Sequence, residues 1–225
     1  MSDITANLHF FQQQLAGTNC RLVTVTKTHA VDKLQQAYDA GARLFGENKV
    51  QEMAAKQPEL PADIEWHLIG HLQTNKVKYI APFVHTIQSV DSLKLLLEME
   101  KQAAKHNRVI RGLLQFHIAA EDTKTGLTLP EAEEILQSGA FRGLRHVRLT
   151  GVMAIATNTS DEARLRQEFQ LLRGYFEQLK ARYFASDDEF REISMGMSSD
   201  YRLAIEEGST LIRVGSAIFG ARNYR

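Results

Sequence analysis

The amino-acid sequence predicts an α/β fold, a single (β/α)8 TIM barrel with an extra N-terminal helix. Three observations predict it. Apolar runs of strand length alternate with amphipathic stretches of helix length along the whole chain. Eight such strand–helix units fit within 225 residues, enough chain for one barrel. No Gly/Ser-rich linker or low-complexity segment interrupts the series, so residues 1–225 read as one domain. The same alternation permits an open, doubly wound parallel sheet as the alternative.

The elements follow in order. Residues 4–16 have the apolar spacing of an amphipathic helix, and 21–27 (RLVTVTK) alternate as a strand. Residues 31–40 are helical and stop at Gly41, which suits the left-handed turn after a helix. Then come a short strand 42–46, a helix 48–57, a strand 64–70, a short helix 74–81 and a strand 84–90. Asp91 and Ser92 suit the cap of a helix 92–106. Strand 112–119 leads through a loop to Pro130, at the start of helix 130–138. Strand 147–155 precedes a long helix that starts at Asp161. Its Leu165, Phe169, Leu172, Phe176 and Leu179 recur at steps of four and three, the seam of a helix that faces a sheet. Residues 186–189 (SDDE) are loop-like, 191–196 a strand, 199–207 a helix stopped by Gly208, and 210–220 the closing strand.

Composition narrows the function. Lys plus Arg number 27 and Asp plus Glu 27, so no bulk positive field favours nucleic acid or an anionic membrane. No apolar run reaches the length of a membrane span. The N-terminus lacks a basic segment followed by an apolar one, so no secretory signal is expected and the cytoplasm is the expected location. Cys20 is the single cysteine, which excludes an intramolecular disulfide and suits a small buried apolar residue.

In a barrel the chemistry gathers at the C-terminal ends of the strands. Val23, Val25 and Lys27 share one face of the first strand, so Lys27 points up from the interior if the valines fill it. A lysine there is either a strand surfacing into solvent or a partly desolvated amine. Desolvation disfavours the charged form, and the free amine is what attacks a carbonyl. Ser198, Ser199 and Asp200 in SMGMSSD precede a helix, and Gly215 and Ser216 lie in RVGSAIFG. Each stretch alone is a helix cap or a turn. Together they sit at the two loops where barrels bind phosphate. Arg213 needs a partner inside a strand, either an acid across the barrel or a ligand's ring nitrogen or acidic group. His67 and His71 are four apart, but they span a strand and a turn with no completing ligand, so no metal site is expected.

Lys27 together with FGENKVQE, WHLIGHLQTNK, SMGMSSD and RVGSAIFG resembles the pyridoxal phosphate homeostasis proteins, the YggS or PROSC family. These are similar to the barrel domain of alanine racemase, and the resemblance runs from about residue 4 to 225. It implies pyridoxal 5'-phosphate as cofactor, held as an aldimine on Lys27. It implies that Ser198, Ser199, Gly215 and Ser216 hold the phosphate and that Arg213 faces the pyridine nitrogen. Asn48, His67 and Met153 would surround the ring, and Lys124 would take part in cofactor transfer. Ser216 stands where the family usually has Thr, and Lys49 where it often has an aromatic residue.

A racemase needs a second acid/base opposite the lysine, which alanine racemase draws from another domain of a partner chain. The chain ends directly after its eighth strand, and its six tyrosines fall mainly on helices or the tail. The expectation is therefore a non-enzymatic, monomeric carrier in vitamin B6 homeostasis that delivers cofactor to apoenzymes. A single-domain amino-acid racemase is the alternative, and a Schiff-base aldolase a weaker one.

Overall fold

The computed structural model describes residues 3–120 and 125–220. The strands are β1 (Arg21–Val25), β2 (Leu44–Glu47), β3 (Glu65–Leu68), β4 (Thr86–Val90), β5 (Ile110–Phe116), β6 (Val147–Ala154), β7 (Glu192–Ser194) and β8 (Leu211–Val214). They pair in parallel, in sequence order, and β8 closes on β1. Closure excludes the open sheet. The helices are α1 (Ile4–Leu15), α2 (Val31–Asp39), α3 (Val50–Lys56), α4 (Val77–Ile80), α5 (Leu93–Lys105), α6 (Leu129–Gln137), α7 (Gly139–Arg142), α8 (Glu162–Tyr183), α9 (Tyr201–Glu206) and α10 (Ser216–Phe219).

Local chemistry sets most boundaries. Ser92 Oγ accepts from the Leu95 N–H at 3.2 Å, and Asp161 Oδ1 from the Arg164 N–H at 3.1 Å, so both caps act as expected. Thr128 and Glu131 form a reciprocal capping box at α6, with Pro130 in its first turn. On α8, Leu165, Phe169, Leu172 and Leu179 are buried, and each stabilises by roughly 1.5–3 kcal/mol. Phe176 is only partly buried and stacks on Phe190 at 5.3 Å.

Several strands are shorter than the apolar runs. β1 stops at Val25, which leaves Lys27 in the following turn. The run 210–220 divides into four-residue β8 and helix α10, because Gly215 interrupts the ladder between them. Helix α7 follows a second capping serine, Ser138, that periodicity did not signal.

Two apolar clusters result. The larger lies between the sheet and the helices and includes Leu8, Leu34, Phe45, Ile80, Leu96 and Phe169. The smaller joins Val23, Leu113, Met153 and Leu211, from β1, β5, β6 and β8. Those strands lie on opposite walls, so the four residues meet across the interior. This plug separates the two mouths of the barrel.

Candidate functional site

A cavity of about 300 Å³ opens at the C-terminal mouth. Val25, Ile69, Ile155 and Met197 supply its apolar walls, and Lys27, Asn48, Ser198, Ser199, Arg213, Gly215 and Ser216 its polar ones. The strand period brings them together. Val25 follows Val23 on the inward side of β1, and Arg213 pairs with Val23 in the ladder. Asn48 leaves β2 one residue after Glu47 and stays outside α3, so its side chain reaches the mouth.

The charges of this lining have one sign. Lys27 and Arg213 are its ionisable members, and no carboxylate lies among them. Arg213 is 5% exposed and its described partners are neutral oxygens. Its Nη1 donates to Ser194 Oγ at 2.7 Å and its Nη2 to the Ala154 carbonyl at 2.8 Å. Burial, partly opposed by the charge of Asp200, pulls the guanidinium down to about 10. The serine hydroxyls converge, with Ser216 Oγ 3.4 Å from Ser198 Oγ. Gly196 has φ +93° and a Cβ there would lie 2.5 Å from that of Ala204, so only glycine lets this loop close on α9. A Cβ at Gly215 would sit 2.9 Å from the Val25 carbonyl oxygen, so the last loop packs directly against β1. Asp200 Oδ1 accepts from the Met197 N–H at 2.5 Å and ties the loop rather than capping α9.

The turn carrying Lys27 is stapled from below. Lys56 is buried, and its Nζ donates to Glu47 Oε1 at 2.7 Å, Glu52 Oε1 at 2.7 Å and the Thr26 carbonyl at 2.8 Å. Thr26 Oγ1 donates to Glu47 Oε1 at 2.7 Å, and the Thr28 N–H to Glu52 Oε1 at 2.5 Å. Thr28 holds φ +67°, uncommon for a β-branched residue, and Glu52 supports that conformation. Burial pushes the Glu47 carboxyl above the usual carboxylate range, against the pull of Lys56. The stretch FGENKVQE thus supplies two anchors for the lysine turn, and Asn48 for the cavity between them.

Residues 1–223 match the family described as alanine racemase, N-terminal domain. The pyridoxal phosphate homeostasis protein of Pasteurella multocida (strain Pm70) is 38% identical over 209 residues, which is 91% of this chain and 87% of the relative. The chain belongs to the pyridoxal phosphate homeostasis protein family. The structure of PipY from Synechococcus elongatus PCC7942 without PLP superposes with a TM-score of 0.90 at 34% identity, covering 97% of this chain and 100% of PipY. PipY with PLP bound superposes with a TM-score of 0.84 at the same 34% identity, with 97% and 100% covered.

Against this family background, seven of the expected site residues meet at one mouth: Lys27, Asn48, Ser198, Ser199, Arg213, Gly215 and Ser216. Two do not line the cavity. Met153 lies in the interior plug, and Ile155, the next inward residue of the same chain segment, lines the cavity instead. His67 faces the other end of the barrel, and Ile69 takes the upper position. Both were expected at the cofactor ring from the family resemblance; inward positions recur every second residue, and the structure sets these two lower in the barrel than Ile69 and Ile155. Lys124 lies outside the described residues. His71 pairs with Asp91 at 3.2 Å, and the histidine grouping that forms is Glu65, His67 and His85, with ligand atoms within 4.8 Å of one another. Cys20 is buried and its thiol is pushed up to about 11, which makes it a packing residue.

Glu47, Glu52 and Lys56 were not expected at the site. The available signal was the i,i+4 pair Glu52–Lys56. A lysine that folds under a loop instead of reaching solvent leaves no mark in periodicity.

Proposed function

We propose that this protein binds pyridoxal 5'-phosphate at the upper mouth, holds it covalently on Lys27, and serves intracellular vitamin B6 homeostasis and cofactor delivery. The carrying observation is the charge pattern of the cavity: two cations, neutral hydroxyl donors and no carboxylate. That pattern suits an anionic ligand with an electrophilic end. Asn48 Oδ1 supports the reading further. It is buried with no hydrogen-bond partner, an acceptor matched to a ring hydroxyl. The bound cofactor supplies a carbonyl carbon for reversible imine chemistry.

This chain's residues take the following parts. Lys27 would hold the cofactor through Nζ, which is reactive toward a carbonyl only as the free amine. Ser198, Ser199 and Ser216 donate hydroxyls to the phosphate, joined by backbone N–H groups at Gly215 and the first turn of α10. Arg213 would face the pyridine nitrogen as an always-charged donor, which would keep that nitrogen unprotonated and weaken the ring as an electron sink. Delivery would rest on the reversibility of that attachment, with Lys27 giving way to an incoming primary amine. Among the described lining residues no tyrosine or histidine stands opposite Lys27 as a second base. A carrier needs no such base, whereas an amino-acid racemase does.

The test is a visible spectrum of the purified protein before and after borohydride, with mass mapping of the reduced adduct. The expected result is an imine band that reduction removes, with the mass added at Lys27 and lost in Lys27→Ala. An adduct on another side chain overturns the site. Robust turnover of D- or L-amino acids that disappears in Lys27→Ala overturns the carrier reading in favour of the racemase.

A further inference from the structure

Arg213 is held from below by residues without a part in the cavity. Its Nη1 donates to Ser194 Oγ at 2.7 Å, and Ser194 Oγ donates to Gln88 Oε1 at 2.6 Å. Gln88 Nε2 lies 2.8 Å from His67 Nδ1. The four residues come from β8, β7, β4 and β3, and all are buried. The direction of each bond follows from the first. A guanidinium only donates, so Ser194 accepts from it and has one proton left, for Gln88. The amide oxygen accepts that proton, the amide nitrogen donates, and His67 accepts at Nδ1. A neutral imidazole that accepts at Nδ1 carries its proton on Nε2.

His67 Nε2 is a buried atom with no hydrogen-bond partner, and so is Glu65 Oε2. Both border a cavity of about 280 Å³ at the lower mouth, lined also by Arg21, His85, Arg111, Glu189, Arg191 and Glu192. Glu65, His67 and His85 have the composition of a cation site, but the charges around them oppose one. Arg111 Nη1 donates to His85 Nε2 at 2.7 Å, which puts the His85 proton on Nδ1 and leaves no lone pair for a metal. Burial, with the charges of Arg21 and Arg111, holds His67 well below the usual imidazole range.

We propose that Ser194, Gln88 and His67 are positioning residues for Arg213. They form a directional strut across the barrel that fixes the guanidinium beneath the upper cavity and requires His67 in its neutral, Nε2-protonated form. The proposal rests on the upper cavity being the cofactor pocket. The strut does not conduct protons, because its central amide would have to become an imidic acid. A proton arriving at His67 Nδ1 would face the Gln88 NH2. The amide would then turn, Ser194 would lose its acceptor, and Arg213 would lose its fixed partner.

The test uses the full chain with ¹⁵N-labelled histidine. At neutral pH, NMR should show His67 with its proton on Nε2 alone. Gln88→Glu sets a carboxylate oxygen against Nδ1 and should move a proton onto that atom. In pyridoxal phosphate titrations, Ser194→Ala should weaken retention about tenfold, the effect of losing a hydrogen bond to a charged group, and Gln88→Met by about threefold to tenfold, the effect of losing a neutral one. Both should also shift the absorption band of the Lys27-bound cofactor. The Lys27 adduct at saturating cofactor should persist, and Ser194→Thr should recover retention. Circular dichroism checks that each variant is folded; should Ser194→Ala unfold, Gln88→Glu and Gln88→Met carry the test. An Nδ1 proton on His67 in the unsubstituted protein, or its titration in the ordinary histidine range, overturns the strut. Unchanged retention and spectrum in Gln88→Met overturns its hold on Arg213. Absence of a Lys27 adduct in the unsubstituted protein counts against the pocket, while the cofactor-free NMR still decides the strut.

Discussion

The two mouths of this barrel enclose cavities of similar size, about 300 Å³ above and 280 Å³ below, and both carry charged side chains. They differ in charge balance. The lower lining sets Arg21, Arg111 and Arg191 against Glu65, Glu189 and Glu192, with Arg21 and Glu192 in contact at 2.7 Å. The upper lining sets Lys27 and Arg213 against no acid. Volume therefore does not separate a binding site from a closed end here. Charge balance separates them instead: the upper lining offers two cations and neutral hydroxyls, whereas the lower lining already sets its arginines against its own glutamates.

Breaking the staple beneath the upper mouth should have the largest effect on stability. Lys56→Met leaves the Glu47 carboxylate buried without its cation, at a cost of about 3–5 kcal/mol by urea unfolding at neutral pH. The sign with pH follows from the raised Glu47 carboxyl. The folded state resists ionisation that the unfolded state accepts, so stability falls as pH rises through the ordinary carboxylate value of 4.5 and above. The deficit of the variant should accordingly shrink in acid. A deficit that stays constant across that range would mean that Glu47 does not sense Lys56.

The lower mouth should respond to acid in the opposite sense. His67 and His85 are both held below the ordinary value of 6.5, so the unfolded chain binds their protons first. Stability is then lost as pH falls below 6.5, by up to about 1.4 kcal/mol per pH unit for each histidine. His67→Gln should flatten that slope by the share of one proton in unfolding measured from pH 5 to 7. An unchanged slope would show that His67 takes up its proton in the folded state.

Smaller changes sharpen the contrast. Ser216→Ala removes one hydroxyl from the upper mouth and should weaken pyridoxal phosphate retention by about 1 kcal/mol in equilibrium dialysis, with stability unchanged. Arg21→Ala breaks a half-exposed ion pair below and should cost about 0.2–1 kcal/mol in thermal unfolding, with retention unchanged. If Arg21→Ala weakened retention as much as Ser216→Ala, the two mouths would not be separate in function.

Legibility in the sequence tracked how local each cause is. Ser92 and Asp161 cap helices through contacts three residues away, so both were readable. Val23, Val25 and Lys27 were placed on the inner face because a strand alternates every second residue. Alternation gives a face and not a depth, and His67 and Met153 were expected at the cofactor ring from the family resemblance rather than from this rule. His67 and Met153 have the right parity, but Ile69 and Ile155 reach the upper cavity, and the register of one strand against its neighbours sets that height.

The sequence by itself determined the alternation of strands and helices, the inward faces and most of the upper-mouth residues, since these depend on period, caps and short motifs. Tertiary structure alone decided the burial of Lys56 beneath the lysine turn and the line from Arg213 to His67, and it closed the barrel that the eight strand–helix units predicted. Each of these joins residues far apart in the chain through contacts only a few ångströms long. Local spacing carries no record of such contacts, because they form only once eight strands share one ring.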